Sequence, residues 1–403
     1  MKKIISVFLI FFLSNVFIFA QNENSGGIKS GYLETGKAKI YYEEKGDGVP
    51  LIMIHGGFLD RRMWDEQFEY FSKDYRVIRY DVRNHGLTTS GPEIFTNYDD
   101  LNSLMDSLKI SRAVIMGLSL GGLISIDFAL THPEKVMALI PVSTGLSGFD
   151  GKDKEWKEFD KKINVEFSSN NEKGAIELML RTWTDGLQRK PDEVSKDVRE
   201  KTKIMLKSTF EKPDTMRIPG KLTPPANNRL EEIKLPVLTI YGDKDLQGII
   251  DIAERIKKEI KDSRVEIIRG AAHMVNMEFP DIFNKIIDDY LKETIKDIKT
   301  VKAEIFINEN KNNPDFIIVD VRTPEEFASG HISGAENIDI KAADFGDKLD
   351  KLDRNKTYLV YCKSGGRSFK ASEKMKSKGF TKVFNMLGGI TKWKAENKEI
   401  ITN

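Results

Sequence analysis

Nine residues, Val114-Ile115-Met116-Gly117-Leu118-Ser119-Leu120-Gly121-Gly122, constrain this chain more than any other stretch. The β-branched and apolar run before Ser119 reads as a buried strand, and the small residues after it open a helix. Gly117 and Gly121 flank the serine as G-x-S-x-G. A strand that becomes a helix across one residue strains that residue's backbone and draws its neighbours so close that side chains two positions either side must vanish. The serine hydroxyl is thereby lifted above a sheet edge, with the Leu120 N–H beside it at a helix N-terminus. Such a turn presents a nucleophile together with half of an oxyanion hole. An incidental serine in a glycine-rich turn is the bland alternative, and the partners that follow in the chain decide against it.

At 403 residues the chain is too long for one compact core, so two domains are expected. Formal charges nearly cancel at +1, and no basic stripe interleaved with aromatic residues occurs, which argues against nucleic acid as a partner. Residues 1–20 differ in kind. Lys2 and Lys3 precede a mainly apolar run from Ile4 to Leu13, interrupted at Ser14-Asn15 and resumed to Phe19, Ala20 is small, and Gln21-Asn22-Glu23-Asn24 is abruptly polar. This predicts a cleaved secretory leader, a periplasmic or secreted protein, and no stable membrane insertion after cleavage. The single cysteine, Cys362, allows no intramolecular disulfide.

In chain order, Tyr32–Thr35 and Ala38–Tyr42 alternate about Gly36-Lys37 and predict a hairpin. Leu51–Ile54, Arg76–Tyr80, the Ser119 strand, Val136–Val142, Pro236–Tyr241 and Val265–Ile268 are apolar strands separated by helical spacing, as between Asp100 and Leu108. Alternating strands and helices predict an α/β fold with a mostly parallel sheet. A serine needs a base, and His273, in the loop Gly270-Ala271-Ala272-His273 straight after the last of these strands, is the strong candidate. The base needs an acid to fix its tautomer, and Gly242-Asp243-Lys244-Asp245 follows the Tyr241 strand. Residues from about 145 to 232 interrupt the pattern with Lys- and Glu-rich helical spacing, as around Ile176–Leu180 and Trp183, and predict a helical lid over Ser119.

The segment from about residue 31 to 291 resembles the α/β-hydrolase superfamily, in its lid-bearing carboxylesterase and lactonase-like branch. The matching residues are His55-Gly56-Gly57, Asp81-x-Arg83-x-His85-Gly86, the Ser119 turn, Gly242-Asp243-Lys244-Asp245 and Gly270-Ala271-Ala272-His273. Asn84 stands where that family usually has glycine, which predicts a local change of turn only. The resemblance places the acid at Asp245, with Asp243 as the alternative, and makes the Gly57 N–H the second oxyanion donor beside Leu120. It implies His55 and His85 are structural. Relatives that use an alkyl-ester intermediate carry aspartate at the turn, so a serine points to acyl transfer on an ester, lactone or thioester, a small-molecule substrate.

From about residue 298 to 403 an α/β pattern restarts. Phe316–Val319 and Tyr358–Tyr361 read as buried strands, Ala303–Asn308 as a helix. The second strand leads into Cys362-Lys363-Ser364-Gly365-Gly366-Arg367-Ser368 and a helix from Ser368 to Lys378. Glycines let successive N–H groups turn inward, and Lys363 and Arg367 add positive charge, so the loop is predicted to hold an anion and a reactive, accessible thiolate rather than a buried thiol. This segment resembles the rhodanese domain, through Asp320-Val321-Arg322, Glu325-Glu326-Phe327, Gly330-His331-Ile332-x-Gly334-Ala335, the Cys362 loop and Gly388-Gly389-Ile390-x-x-Trp393. The resemblance implies that Cys362 carries a sulfane sulfur from a small donor as a persulfide, that Lys363, Ser364, Gly365, Gly366, Arg367 and Ser368 bind sulfur or anion, and that Asp320 and Arg322 are structural. A binding or sensing role for this part, and haloperoxidation or carbon–carbon bond hydrolysis for the first, stay open. No metal or cofactor is expected.

Overall fold

The computed structural model describes residues 18–24, 27–151, 154–212, 218–294, 299–301, 303–386 and 388–402. The charged and apolar part of the expected leader, residues 1–17, lies outside them. Two sheets organise the chain. The larger contains β1 (Ile18–Asn24), β2 (Ile28–Thr35), β3 (Ala38–Lys45), β4 (Pro50–Ile54), β5 (Arg76–Tyr80), β6 (Ala113–Leu118), β7 (Val136–Val142), β8 (Val237–Gly242) and β9 (Ser263–Ile268). Their order is β1-β2-β3-β5-β4-β6-β7-β8-β9. The antiparallel hairpin β2–β3 closes with Thr35 opposite Ala38, and Gly36 takes the positive φ (60°) that its turn needs. From β5 to β9 all pairings are parallel. β4, β6 and β8 are buried along almost their whole length, as apolar runs covered on both faces must be. The first strand was not anticipated, since Ile18 to Ala20 were assigned to the leader; they pair with β2 around Leu33 and Tyr32.

Two apolar layers sandwich this sheet. One gathers Trp64, Phe68, Phe71 and Phe283 against Met53 and Met116, the other Leu101, Leu104 and Phe128 against Ile52 and Ile115. Alternate residues of β4 and β6 thus serve opposite layers. After β7 the helices Lys154–Ser168, Glu172–Met179 and Lys196–Phe210, with a π-turn at Leu180–Asp185, form the helical insertion between β7 and β8.

The smaller sheet contains β10 (Lys299–Val301), β11 (Phe316–Asp320), β12 (Ala335–Asn337), β13 (Thr357–Tyr361) and β14 (Lys382–Met386), in the order β10-β14-β13-β11-β12 and parallel throughout. Arg322 closes a buried bidentate pair on Asp320 and donates to Gly330 O at 2.8 Å, fixing the turn after β11. This sheet's domain meets the larger one at the N-terminal ends of β4 to β6. Pro50, Arg76 and Ser111 there share a cleft of about 510 Å³ with Ser364, Gly365 and Gly366. Ion pairs Arg112–Glu373 and Lys392–Asp47 span it.

Candidate active site

Ser119 sits at the C-terminal end of β6 with φ 55° and ψ −107°, directly before the helix Leu120–Thr131. The flanking glycines explain how so sharp a turn packs. A Cβ on Gly117 would lie 2.2 Å from the Gly121 carbonyl, and one on Gly121 would lie 2.2 Å from Ile54 O. Gly122 is equally crowded, by Thr144 Oγ1 at 2.2 Å. The three glycines let the helix lie against β4 and β7, and the serine absorbs the backbone strain.

His273 is almost fully buried, and its Nδ1 lies 2.8 Å from Asp245 Oδ2. The other oxygen of Asp245 accepts the Leu246 N–H at 2.8 Å, so the carboxylate is fixed in orientation. Of the two carboxylates in Gly242-Asp243-Lys244-Asp245, only Asp245 holds the imidazole. Asp243 accepts the Gly270 N–H at 2.6 Å and steadies the start of the histidine's loop. An imidazole whose Nδ1–H is committed to a carboxylate leaves Nε2 as a proton acceptor.

Ser119 and His273 line one cavity of about 280 Å³. Gly57 and Leu120 line it too, and among the described residues neither backbone N–H has a hydrogen-bond partner. The neighbouring amides are committed elsewhere: Gly56 N–H to Met63 Sδ and Phe58 N–H to His85 Nε2 at 3.0 Å. His55 and His85 shape this loop. His55 donates from Nδ1 to Gly56 O and accepts the Val82 N–H at Nε2, and His85 lies 2.8 Å from Arg83 O through Nδ1. Burial pushes both imidazoles down to about 4, so they stay neutral and keep these bonds near neutrality. Asn84 itself takes the left-handed backbone (φ 70°), a conformation asparagine tolerates.

The rest of the cavity wall is mostly apolar, with Phe58, Phe159, Ile163, Phe167, Met179 and Leu206 among its residues, but Asp160, Thr184 and Thr202 also line it. Trp183 covers the histidine, ring centroids 4.7 Å apart, and its carbonyl accepts the His273 N–H at 3.2 Å. Arg189 and Glu278, which the sequence did not single out, bind the histidine's loop. Arg189 Nη1 donates to Gly270 O at 2.7 Å and to Glu278 Oε2 at 2.6 Å, and Glu278 Oε1 accepts the Ala272 N–H at 2.8 Å. Burial pushes the Glu278 carboxyl up, against the pull of Arg189. Arg189 lies in the polar run Gln188-Arg189-Lys190-Pro191, which looks solvated, so no local signal marked it.

Cys362 follows β13 directly. Contrary to the expectation of an accessible thiol, it is 1 % exposed and packs with Val360, Ala371 and Val383. The loop curls back over it. Gly365, at φ 101°, points its N–H at Sγ from 3.2 Å, and the Ser368 hydroxyl lies 3.6 Å away. Ser368 is held 2.6 Å from Asn385 Oδ1, while Lys363 and Ser364 stand exposed. Gly366 abuts the larger domain, where a Cβ would meet Ser111 Oγ at 2.0 Å. Arg367 is shared between two partners: its two Nη atoms pair with Glu326 at 2.6 and 2.7 Å, and it also interacts with the Cys362 sulfur. The ion pair holds Glu326 down to about 2, and raises the guanidinium more than the sulfur does. Glu326 was legible only as part of a fold motif. Among the described residues no group of three or more His, Cys, Asp or Glu side chains is placed to hold a metal.

A family model described as the alpha/beta hydrolase fold matches residues 49–280, and one for a rhodanese-like domain matches residues 302–396. Among curated proteins, a pimeloyl-acyl-carrier-protein methyl ester esterase of Nitrosospira multiformis is 23% identical over 62% of this chain and 96% of its own length. The 2-hydroxy-6-oxo-6-phenylhexa-2,4-dienoate hydrolase of Comamonas testosteroni is 26% identical over 63% of this chain and 91% of its own. A hydrolase from Pseudomonas aeruginosa of known structure superposes with TM-score 0.52 at 24% identity, over 66% of this chain and 99% of that one, a likeness of fold.

Proposed function

Because this chain belongs to the alpha/beta hydrolase fold family and carries a rhodanese-like domain after it, we propose that it is a serine hydrolase joined to a cysteine-dependent sulfurtransferase. One observation carries the first half. The imidazole of His273, bonded to Asp245 at 2.8 Å, shares its cavity with Ser119 and with two partnerless amides. Ser119 Oγ attacks the acyl carbonyl while His273 Nε2 takes its proton. The oxyanion gathers against Gly57 and Leu120 N–H, each such donor contributing about 3 kcal/mol to barrier lowering. Collapse expels the alcohol or thiol, which takes the proton from Nε2, and water then repeats the sequence on the acyl-enzyme. Asp245 keeps the tautomer and stabilises the imidazolium.

The mostly apolar wall, to which Asp160 adds a carboxylate that would repel an anion, and the volume of about 280 Å³ favour an uncharged acyl group of medium size, aliphatic or aromatic. A second reading, hydrolysis of a carbon–carbon bond beside a ketone, is kept by the relative named for a keto-dienoate. Wild-type protein turned over on p-nitrophenyl esters and on a diketone panel separates the two. In the serine reading Ser119→Ala abolishes ester hydrolysis and labelling by a fluorophosphonate; full activity in that variant removes the assignment.

In the second half, the Cys362 thiolate attacks the outer sulfur of a donor such as thiosulfate. The new sulfur–sulfur bond forms a persulfide and sulfite leaves. Cyanide or a thiol then takes the terminal sulfur and frees the thiolate. The Gly365 N–H at 3.2 Å from Sγ supports this reading. Cys362→Ser ends thiocyanate release from thiosulfate and cyanide, and an unchanged rate would sink it. Each substitution spares the other reaction, since the domains meet at the N-terminal end of β6, Ser119 follows its C-terminal end, and six residues of strand span about 20 Å. The leader-like residues 1–20 support export; a mature N-terminus at Gln21 in a periplasmic or secreted fraction is the check.

A further inference from the structure

The loop that carries His273 has almost nothing of its own to hold it. Gly270, Ala271 and Ala272 offer no side chain long enough to anchor, and Gly270 stands at φ 83°. Its backbone is tied from two sides: from the acid's turn, where Asp243 accepts the Gly270 N–H at 2.6 Å and the Lys244 N–H donates to Ala271 O at 2.9 Å, and from the helical insertion. Trp183 O accepts the His273 N–H, Arg189 binds Gly270 O, and Glu278, paired with Arg189, accepts the Ala272 N–H. Arg189 is itself rooted in the insertion. Its Nη2 donates to Thr184 O at 3.1 Å and its Nε to Asp185 O. Asp185 is fully buried and pairs with Arg181 at 2.6 Å and Arg199 at 2.8 Å, tying the π-turn to the helix Lys196–Phe210. Gly186 seats this segment on the acid's turn, where a Cβ would lie 2.8 Å from Lys244 O. Arg189 thus joins two segments, the lid and the loop of the base. A planar guanidinium with several fixed donors does this in a way an ammonium cannot.

We infer that Arg189 is a positioning residue that makes the His273 loop part of the lid, so that the base is set against Ser119 only while the lid is seated. This rests on the serine mechanism proposed above. Its consequence is that lid opening withdraws the base, and acylation is confined to the closed, water-poor cavity.

The test uses the full chain with p-nitrophenyl butyrate and a fluorophosphonate probe, on wild type, Arg189→Met, Arg189→Lys and Glu278→Gln, each with its melting temperature. Displacing a base by about 1 Å costs on the order of 100-fold, so Arg189→Met is expected to lower kcat and the labelling rate of Ser119 by about that factor while KM moves less than about 3-fold. Arg189→Lys restores part of kcat, and Glu278→Gln falls between. A folded Arg189→Met with kcat within about 2-fold of wild type overturns the inference, as does a loss carried by KM with the labelling rate intact. If Arg189→Met does not fold, unchanged kcat in both Arg189→Lys and Glu278→Gln overturns it equally. Wild type that takes no label at Ser119 removes the serine reading, and this inference with it; labelled wild type and an equally fast Arg189→Met remove the inference alone.

Discussion

At the end of β6 the reactive residue itself takes the left-handed backbone, Ser119 at φ 55°; at the end of β13 the cysteine keeps a negative φ and Gly365, three residues on, takes the turn at φ 101°. The glycines accordingly have different tasks. Around Ser119 they remove Cβ atoms that would strike backbone at 2.2 Å, whereas a Cβ on Gly365 meets nothing closer than 3.7 Å and only its φ is demanding. A turn of one residue throws its side chain forward, off the sheet and into a cavity. A loop of several residues folds back over its cysteine and aims an N–H at the sulfur. The first arrangement carries a serine hydroxyl into a cavity that a histidine also lines; the second surrounds a sulfur with donors and hides it. Charge follows the same division. His273 is bonded to a fixed carboxylate and its ring lines the cavity, while Arg367 is already matched by Glu326.

The sharpest way to break the comparison is at the base. Asp245→Asn leaves the shape but frees the tautomer, and is expected to lower ester kcat by about 10,000-fold while sulfur transfer is unaffected. A small loss there would mean that the imidazole is not tuned by its carboxylate. Next come the two kinds of glycine. Gly121→Ala drives a methyl into Ile54 O and is expected to cost about 3 kcal/mol or to prevent folding, whereas Gly365→Ala costs only the ~1–2 kcal/mol of a left-handed residue. Urea unfolding midpoints measure both, and equal losses would erase the distinction. Burial of the cysteine predicts that iodoacetamide modifies Cys362 at least about 100-fold more slowly in the native protein than in urea, because the reagent waits on local opening. Mass spectrometry of a time course decides, and equal rates would show the loop to be open.

A further test, by pH rather than by mutation, lies with His55 and His85. Their ordinary value is 6.5 and burial holds them at about 4 in the folded protein. Between those values the unfolded chain binds more protons, so stability falls as pH drops through 6.5 and levels off near 4. By pH 5 the loss is about 2 kcal/mol per histidine, and a flat unfolding midpoint between pH 7 and pH 5 would show that the oxyanion loop does not depend on neutral imidazoles.

Much of this was legible in order along the chain. The Ser119 turn, the hairpin at Gly36-Lys37 and the helix at Ala303 follow from periodicity and from residues that alone fit a given backbone. Choosing Asp245 over Asp243 rested on the resemblance alone, because both acids flank one turn and only the fold of Gly270–His273 shows which oxygen meets the imidazole. The burial of Cys362 was hidden for a similar reason: its glycines and cations read as an open anion site, and the residues that close it come from elsewhere.

The sequence by itself determined where Ser119 and Cys362 stand, since a strand-to-helix turn is specified by neighbours a few positions away and by the φ angles they permit. Only the tertiary structure decided what surrounds each of them. The pairs that matter are 28 residues apart for Asp245–His273, 41 for Glu326–Arg367 and 89 for Arg189–Glu278. A carboxylate or guanidinium reads the same in the sequence whether it is solvated or buried in a pair. Its partner is chosen by which loops the packed sheets bring together, a distance that spacing along the chain does not encode.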